Sequence, residues 1–349
     1  MPAFRARQAR EREAGRLVGL GFSCFAERTG YGTEAFNQRK MAVTPGYDTA
    51  LVRMDPTAGV TVHVGTCSHG QGHMTTLAQV AADQLGVEPR DVEIRQGDTD
   101  ATPYGWGTFA SRSAVVSGGA TQRACTLLAA KIKRIAAHLL EAAPEDLELT
   151  GGRINVAGSQ DAGIALEEIA RVAYLEAQRL PPGEEPGLET VASFDPPGTF
   201  SNAVHAAIVE VDPDTGAVAI ERYVVIEDCG VMLNPAIVEG QVRGGVAQGI
   251  AAALYEELIY SEDGQLQTAS LIDYLVPTAA EIPDLEIHHL ETPSRASETG
   301  AKGMGEGGTM GAPACIASAV SDALAHQGVE IDWLPITPER LIDAMGANA

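Results

Sequence analysis

An α+β fold in two lobes, each of antiparallel strands packed by helices, is predicted from three observations. Residues 49–54 and 60–64 alternate apolar and polar positions around Asp55-Pro56-Thr57-Ala58-Gly59, and 204–211 with 218–228 repeat the pattern around Asp212-Pro213-Asp214-Thr215-Gly216. Each hairpin is followed by helix-periodic runs. The 349 residues exceed the ~250–300 at which one core stops growing, and Pro181-Pro182-Gly183-Glu184-Glu185-Pro186-Gly187 cannot join a core. A first lobe over 1–180, a linker over 181–187 and a second lobe over 188–349 follow.

In order along the chain, residues 1–20 open with an Arg/Glu-rich helix and turn at Gly19 and Gly21 into a strand over 22–27. After the first hairpin the strand runs into Gly65-Thr66-Cys67-Ser68-His69-Gly70-Gln71-Gly72-His73. A helix begins near Thr75, with Leu77, Val80, Ala81, Gln84 and Leu85 on one face, and ends at Gly86. The same order returns as a strand at 92–95, a long polar loop at 97–113 and a helix over 114–141. A loop of that length inside a compact domain is usually functional. Past the second hairpin come a helix over 235–260, a glycine-rich loop over 300–313 and a last apolar helix through Ile316, Val320, Ala323 and Leu324.

Composition narrows the function. The charge of −23, from 24 Lys+Arg and 47 Asp+Glu, would repel phosphate backbones and anionic bilayers, so neither nucleic acid nor membrane is an expected partner. No apolar run is long enough for a membrane span or a cleavable leader. Cys24, Cys67, Cys125, Cys229 and Cys315 are scattered, without the spacing of a disulfide framework or of a zinc or iron–sulfur site, and a cytoplasmic location is expected.

Three glycine-rich loops, 69–73, 105–119 and 300–311, each stand at a strand-to-helix junction, where unpaired N–H groups can receive an anion. Any one of them could be only a tight turn; three together point to a phosphate-bearing cofactor. Arg112 and Lys302 are the cations inside them. Gly303-Met304-Gly305-Glu306-Gly307-Gly308 fits the spacing of a dinucleotide fingerprint, but the polar run 294–302 replaces the hydrophobic strand that motif requires. Glu306, among glycines and beside Met304 and Met310, is either a solvated loop residue or a desolvated carboxylate whose raised pKa suits a general base.

Four runs, Gly70-Gln71-Gly72-His73-Met74-Thr75-Thr76-Leu77-Ala78-Gln79, Gly107-Thr108-Phe109-Ala110-Ser111-Arg112-Ser113, Leu233-Asn234-Pro235 with Glu239-Gly240-Gln241, and Gly303-Met304-Gly305-Glu306-Gly307-Gly308-Thr309, resemble signatures of the xanthine dehydrogenase/aldehyde oxidase family of molybdenum hydroxylases, in that family's order. The likeness is to the second half of the molybdopterin-binding subunit. Two readings are open, a naturally split subunit with the first half on another chain, which is the one expected, or a fragment of a longer subunit.

The resemblance implies molybdenum held by a pterin dithiolene, in bacteria usually as molybdopterin cytosine dinucleotide, with almost no ligand from protein. It assigns pterin contacts to Gly70, Gln71, Gly72 and His73, places Ala110, Ser111, Arg112 and Ser113 beside the metal and pyrophosphate, with the Ala110 backbone next to molybdenum, and gives Gln241 a hydrogen bond to the pterin. Gln248, one helix face further on, is a second candidate. Gly303 and Gly305 line the cofactor, Lys302 keeps the family spacing, and Glu306 matches the catalytic glutamate. The implied reaction is hydroxylation of an aldehyde or aromatic N-heterocycle with oxygen from water; carbon monoxide oxidation and a non-catalytic cofactor-binding or assembly role are the alternatives. Electrons would leave through a 2Fe–2S subunit and an FAD subunit.

Other residues have plainer readings. His69 and His73 lie on a glycine loop, not a helix, and are structural or cofactor-orienting. Cys67 and Cys229 are small hydrophobes near the site. His288-His289 is strand surface, and Trp106 and Phe109 line a substrate funnel or pack between lobes.

Overall fold

The computed structural model describes residues 1–41 and 43–347. Its elements are α1 (Pro2–Glu13), β1 (Leu17–Thr29), α2 (Thr33–Gln38), β2 (Asp48–Met54), β3 (Val60–Val64), α3 (His73–Leu85), β4 (Val92–Arg95), α4 (Ser113–Leu140), β5 (Leu147–Thr150), β6 (Arg153–Val156), β7 (Ser159–Ala165), α5 (Leu166–Leu175), β8 (Glu189–Phe194), β9 (Thr199–Val211), β10 (Val218–Asp228), α6 (Pro235–Leu254), β11 (Leu285–Leu290), α7 (Gly307–Leu324) and α8 (Pro338–Ala347). Both expected hairpins form, as β2–β3 and β9–β10. The expected 300–313 loop is half helix, because α7 starts at Gly307, and the expected 235–260 helix stops at Leu254.

One sheet has the order β4-β3-β2-β8 and the other β1-β9-β10-β11, while β5-β6-β7 form a small third. Pairing is mixed, since β3–β4 and β10–β11 run parallel and the other pairs antiparallel. Val52, Val62, Leu77, Leu128 and Ile132 belong to the core of the first lobe; Val209, Tyr223, Val246, Ile316 and Val320 belong to that of the second.

The boundary expected at 181–187 does not separate the two sheets. β1, early in the chain, pairs over its full length with β9, Leu17 opposite Val211 through to Thr29 opposite Thr199. β8, past the linker, pairs with β2. The lobes therefore exchange strands. Turn-forming residues mark a break in local structure, whereas which strands pair is decided by long-range burial.

Side chains at alternate positions of β1 share one face, and that face runs along α7. A Cβ on Gly19 would fall 2.0 Å from the Ala319 carbonyl oxygen, and one on Gly21 2.2 Å from that of Cys315, so glycine is what lets the helix lie on the strand. Further along, Ser23 Oγ donates to the Gly311 carbonyl at 2.6 Å and the Phe25 ring lies 6.0 Å from that of His205. Thr29 Oγ1 accepts the Gly303 N–H at 3.1 Å. Glu27, between Phe25 and Thr29, thereby comes to the start of α7.

Candidate functional site

Four helices begin at one cleft between the lobes. α3 starts at His73, α4 at Ser113, α6 at Pro235 behind the Asn234 cap, and α7 at Gly307 behind Glu306. Their unpaired N–H groups and positive dipole ends favour an anion without any net positive charge on the chain. The cleft holds a cavity of about 730 Å³ and a deeper one of about 120 Å³, with Gln71, Thr108, Ser111, Ile237, Gln241 and Gly305 lining both.

Apart from Gln248, every residue expected at the cofactor lines one of these cavities. Gly70, Gly72, Ala110 and Glu306 face the larger; His73, Arg112, Ser113, Lys302 and Gly303 face the deeper; Gln71, Ser111, Gln241 and Gly305 serve both. Gln248 does not belong here, because it lines a separate cavity with Arg243, Val276 and Pro277. Its place on α6, seven residues after Gln241, carries it two turns, about 10 Å, further along the helix.

The loop before α4 is held in a demanding conformation. Ala110 and Ser111 both have φ of 49°, left-handed and uncommon for residues other than glycine. Arg112 fixes it from below: its guanidinium is buried and donates to the carbonyls of Gly107 at 2.8 Å, Gly46 at 2.7 Å and Tyr47 at 3.3 Å. Gly303 packs directly on this loop, since a Cβ there would lie 1.8 Å from the Ser111 carbonyl oxygen.

Neither expected cation is free for phosphate. Besides the inward turn of Arg112, Lys302 Nζ sits 2.9 Å from Asp228 Oδ1 in a nearly sealed pair. Burial works against the Asp228 carboxylate, yet hydrogen bonds from Thr292, Lys302 and the Gly230 amide outweigh it and hold its pKa below the usual range. Both side chains shape the cleft; anion affinity falls to the backbone N–H groups.

Glu306 is exposed on the cleft wall, so of the two readings of its surroundings the solvated one holds and the desolvated one does not. Ser111 grips it twice: Ser111 Oγ donates to Glu306 Oε2 at 2.8 Å and accepts the Glu306 N–H at 3.1 Å. The desolvated carboxyl is a neighbour that sequence reasoning missed. Glu27 is pushed up to about 7 by burial and then by the negative Glu306 within hydrogen-bonding reach. The available signal was an acid at the inward period of a strand whose other inward residues are small or apolar.

Unsatisfied polar atoms mark where a ligand fits. Gln241 Oε1 and His73 Nδ1 are buried with no hydrogen-bond partner among the described residues. Burial, then the neighbouring His69, lowers His73 to about 4, so it stands neutral, able to donate from one ring nitrogen and accept at the other. Buried polar groups ordinarily find partners, and two orphans in one polar cleft suit a heteroatom-rich ligand such as a pterin. Among the described residues no three of His, Cys, Asp and Glu group so as to hold a metal ion.

The remaining candidates divide. Cys229 is buried in the wall of the deeper cavity, its thiol pushed up to about 12 by burial and then by Glu227 and Asp228; Cys67 is half-buried. Phe109 lines the larger cavity, whereas Trp106 lines neither. His289 is not plain strand surface: its Nδ1 lies 2.8 Å from the buried Glu227 Oε1.

A two-lobed fold whose helix N-termini converge on a polar, glycine-walled cleft defines a cofactor-binding protein. Residues 1–283 match the family described as "Molybdopterin cofactor-binding domain", and the chain belongs to that family, that of the molybdenum hydroxylases. It is 44% identical to the nicotine 6-hydroxylase large subunit of Paenarthrobacter nicotinovorans, over 98% of this chain and 42% of that one. It is 40% identical to the carbon monoxide dehydrogenase large chain of Afipia carboxidovorans, over 93% of this chain and 39% of that one. Among solved structures, quinoline 2-oxidoreductase from Pseudomonas putida 86 superposes with a TM-score of 0.93 at 47% identity, covering 99% of this chain and 44% of that one. The chain thus spans about two fifths of the length of these relatives.

Among the described residues no helix is long and apolar enough to cross a membrane.

Proposed function

We propose that this chain forms the molybdopterin-binding, catalytic portion of a molybdenum hydroxylase that hydroxylates an aromatic N-heterocycle or an aldehyde with oxygen from water. The observation that carries the reading is the Ser111–Glu306 clamp, which fixes a carboxylate at the wall of a cavity built from helix N-termini. A site that only stored cofactor would have no use for an oriented base. The N-heterocycle is favoured because two of the similar proteins are named for nicotine and quinoline.

The cofactor, in the proposal, is molybdopterin, carried as the cytosine dinucleotide. Gly70, Gln71, Gly72 and His73 would meet the pterin, Gln241 Oε1 would accept one of its N–H groups, and residues 110–113 with Gly303 and Gly305 would close over it. When bound, the group supplies the redox centre at which oxygen enters the substrate. Ser111 holds Oε2 of Glu306, leaving Oε1 to take a proton from the attacking oxygen. Electrons would pass to 2Fe–2S and FAD partner subunits, and a further segment would complete the pocket.

Glu306→Gln preserves the shape and the Ser111 contact while removing the base. In the assembled complex, single-turnover reduction of the metal by substrate should slow by at least about 10²–10⁴-fold with cofactor content intact. Reduction near the normal rate would take Glu306 out of the chemistry.

A further inference from the structure

The face of β1 that runs along α7 ends at Glu27, whose Oε2 is buried without a hydrogen-bond partner among the described residues. Its cross-strand neighbour is Ser201, and beyond it stands the Glu306 carboxylate. We infer that Glu27 is the positioning residue of the catalytic carboxylate: protonated, it donates a hydrogen bond to Glu306 and, together with Ser111, fixes the direction in which the base faces. This rests on the role proposed above for Glu306.

The surroundings of Glu27 favour keeping its proton. The groups that act on it are Glu306 from the start of α7 and the Ser201 hydroxyl from β9. His205, also on β9, is lowered to about 4 by burial and is neutral at physiological pH. Arg28, next in the chain, turns to the opposite face, where its guanidinium donates to Gln38 Oε1 and to the Pro197 carbonyl. Two carboxyls this close cannot both ionise cheaply, so the pair keeps one proton into the neutral range. Glu27 is the more buried partner and Glu306 the exposed one, so the proton resides on Glu27 and the charge on Glu306.

The direction with pH follows. Below about 7 the pair carries one proton and Glu27 donates; above it Glu27 ionises, the donor is lost and two like charges push apart. Gln at position 27 keeps a donor at every pH, and Ala keeps none.

The test uses the assembled holoenzyme and two readouts. In infrared difference spectra, a protonated carboxyl should disappear as pH rises through about 7. That band should be missing in Glu27→Gln, and in Glu306→Gln its midpoint should move down once the neighbouring charge is gone. In single-turnover reduction, Glu27→Ala should be slower by about tenfold, as expected of a misdirected base. Glu27→Gln should stay within about threefold of wild type, because its amide still donates, and should lose the wild-type decline above pH 7. A band that persists in Glu27→Gln, or a Gln variant as slow as Ala, would overturn the inference. If instead Glu306→Gln is reduced normally, the role of Glu306 fails, and this inference with it, whatever the infrared result.

Discussion

Lys302 and Asp228 meet at 2.9 Å with side chains only 9% and 5% exposed, so neither charge has water to fall back on. Removing the ammonium would leave a buried carboxylate supported by the amides of Gly230 and Thr292 and by the Thr292 hydroxyl. Breaking a buried pair from one side costs about 3–5 kcal/mol, and those hydrogen bonds place Lys302→Met near the lower end. Denaturant unfolding should show that loss in the cofactor-free chain. A change below about 1 kcal/mol, the range of a surface pair, would return Lys302 to the role of a free phosphate-binding cation. The lining of the cleft was legible in the sequence through its runs: of the fourteen residues named there, thirteen line the cleft and Gln248 does not. Their local roles were less so, because whether a lysine or glutamate is paired, buried or free depends on residues far along the chain. Asp228 lies 74 positions from Lys302, and Ser111 lies 195 from Glu306.

At the scale of elements, α6 offers a clean way to separate cofactor binding from folding. Gly72 cannot serve: its φ is +78° and a Cβ would strike Ile237 at 2.6 Å, so any substitution there strains the turn itself. Gly240 lies in a helix on the wall of the larger cavity, with nothing within 4 Å of an added Cβ. Gly240→Leu should leave folding unharmed or stabilise it by about 0.5–1 kcal/mol, since glycine is a poor helix residue. The leucine would fill space proposed for the cofactor, so molybdenum content should fall sharply while the melting temperature holds. Unchanged molybdenum would move the cofactor elsewhere. Long periodic elements were readable for the reason that makes them stable, a continuous apolar face; α3, α4 and the two hairpins came through within a few residues. The four-residue strands β5 and β6 offer too few positions for a period to show. The start of α7 was hidden by its glycines, which are weak helix formers kept because α6 lies against them: a Cβ on Gly308 would meet the Val242 carbonyl oxygen at 2.6 Å.

At the scale of the molecule, the exchange of β1 and β8 joins the lobes in a way no local pattern reveals, because nothing near residues 17–29 indicates that they pair with 199–211. Its consequence is mechanical as well as topological. Stripping β1 from β9 exposes the side of the second lobe on which α7 lies, and releasing β8 uncovers β2 in the first. Loss of either lobe therefore removes a strand whose chain continues into the other, and the two should unfold as one cooperative unit. The chain's two tryptophans provide the probes: Trp106 lies in the loop before α4, and Trp333 packs against the second core. With Trp106→Phe and Trp333→Phe each leaving one reporter, urea transitions followed by fluorescence should share a midpoint with each other and with far-ultraviolet circular dichroism. Independent lobes would instead give two midpoints, with Trp333 following only one of the steps seen by circular dichroism. That outcome would mean the exchanged strands do not couple the halves, and that the cleft between them is held by something other than the sheets.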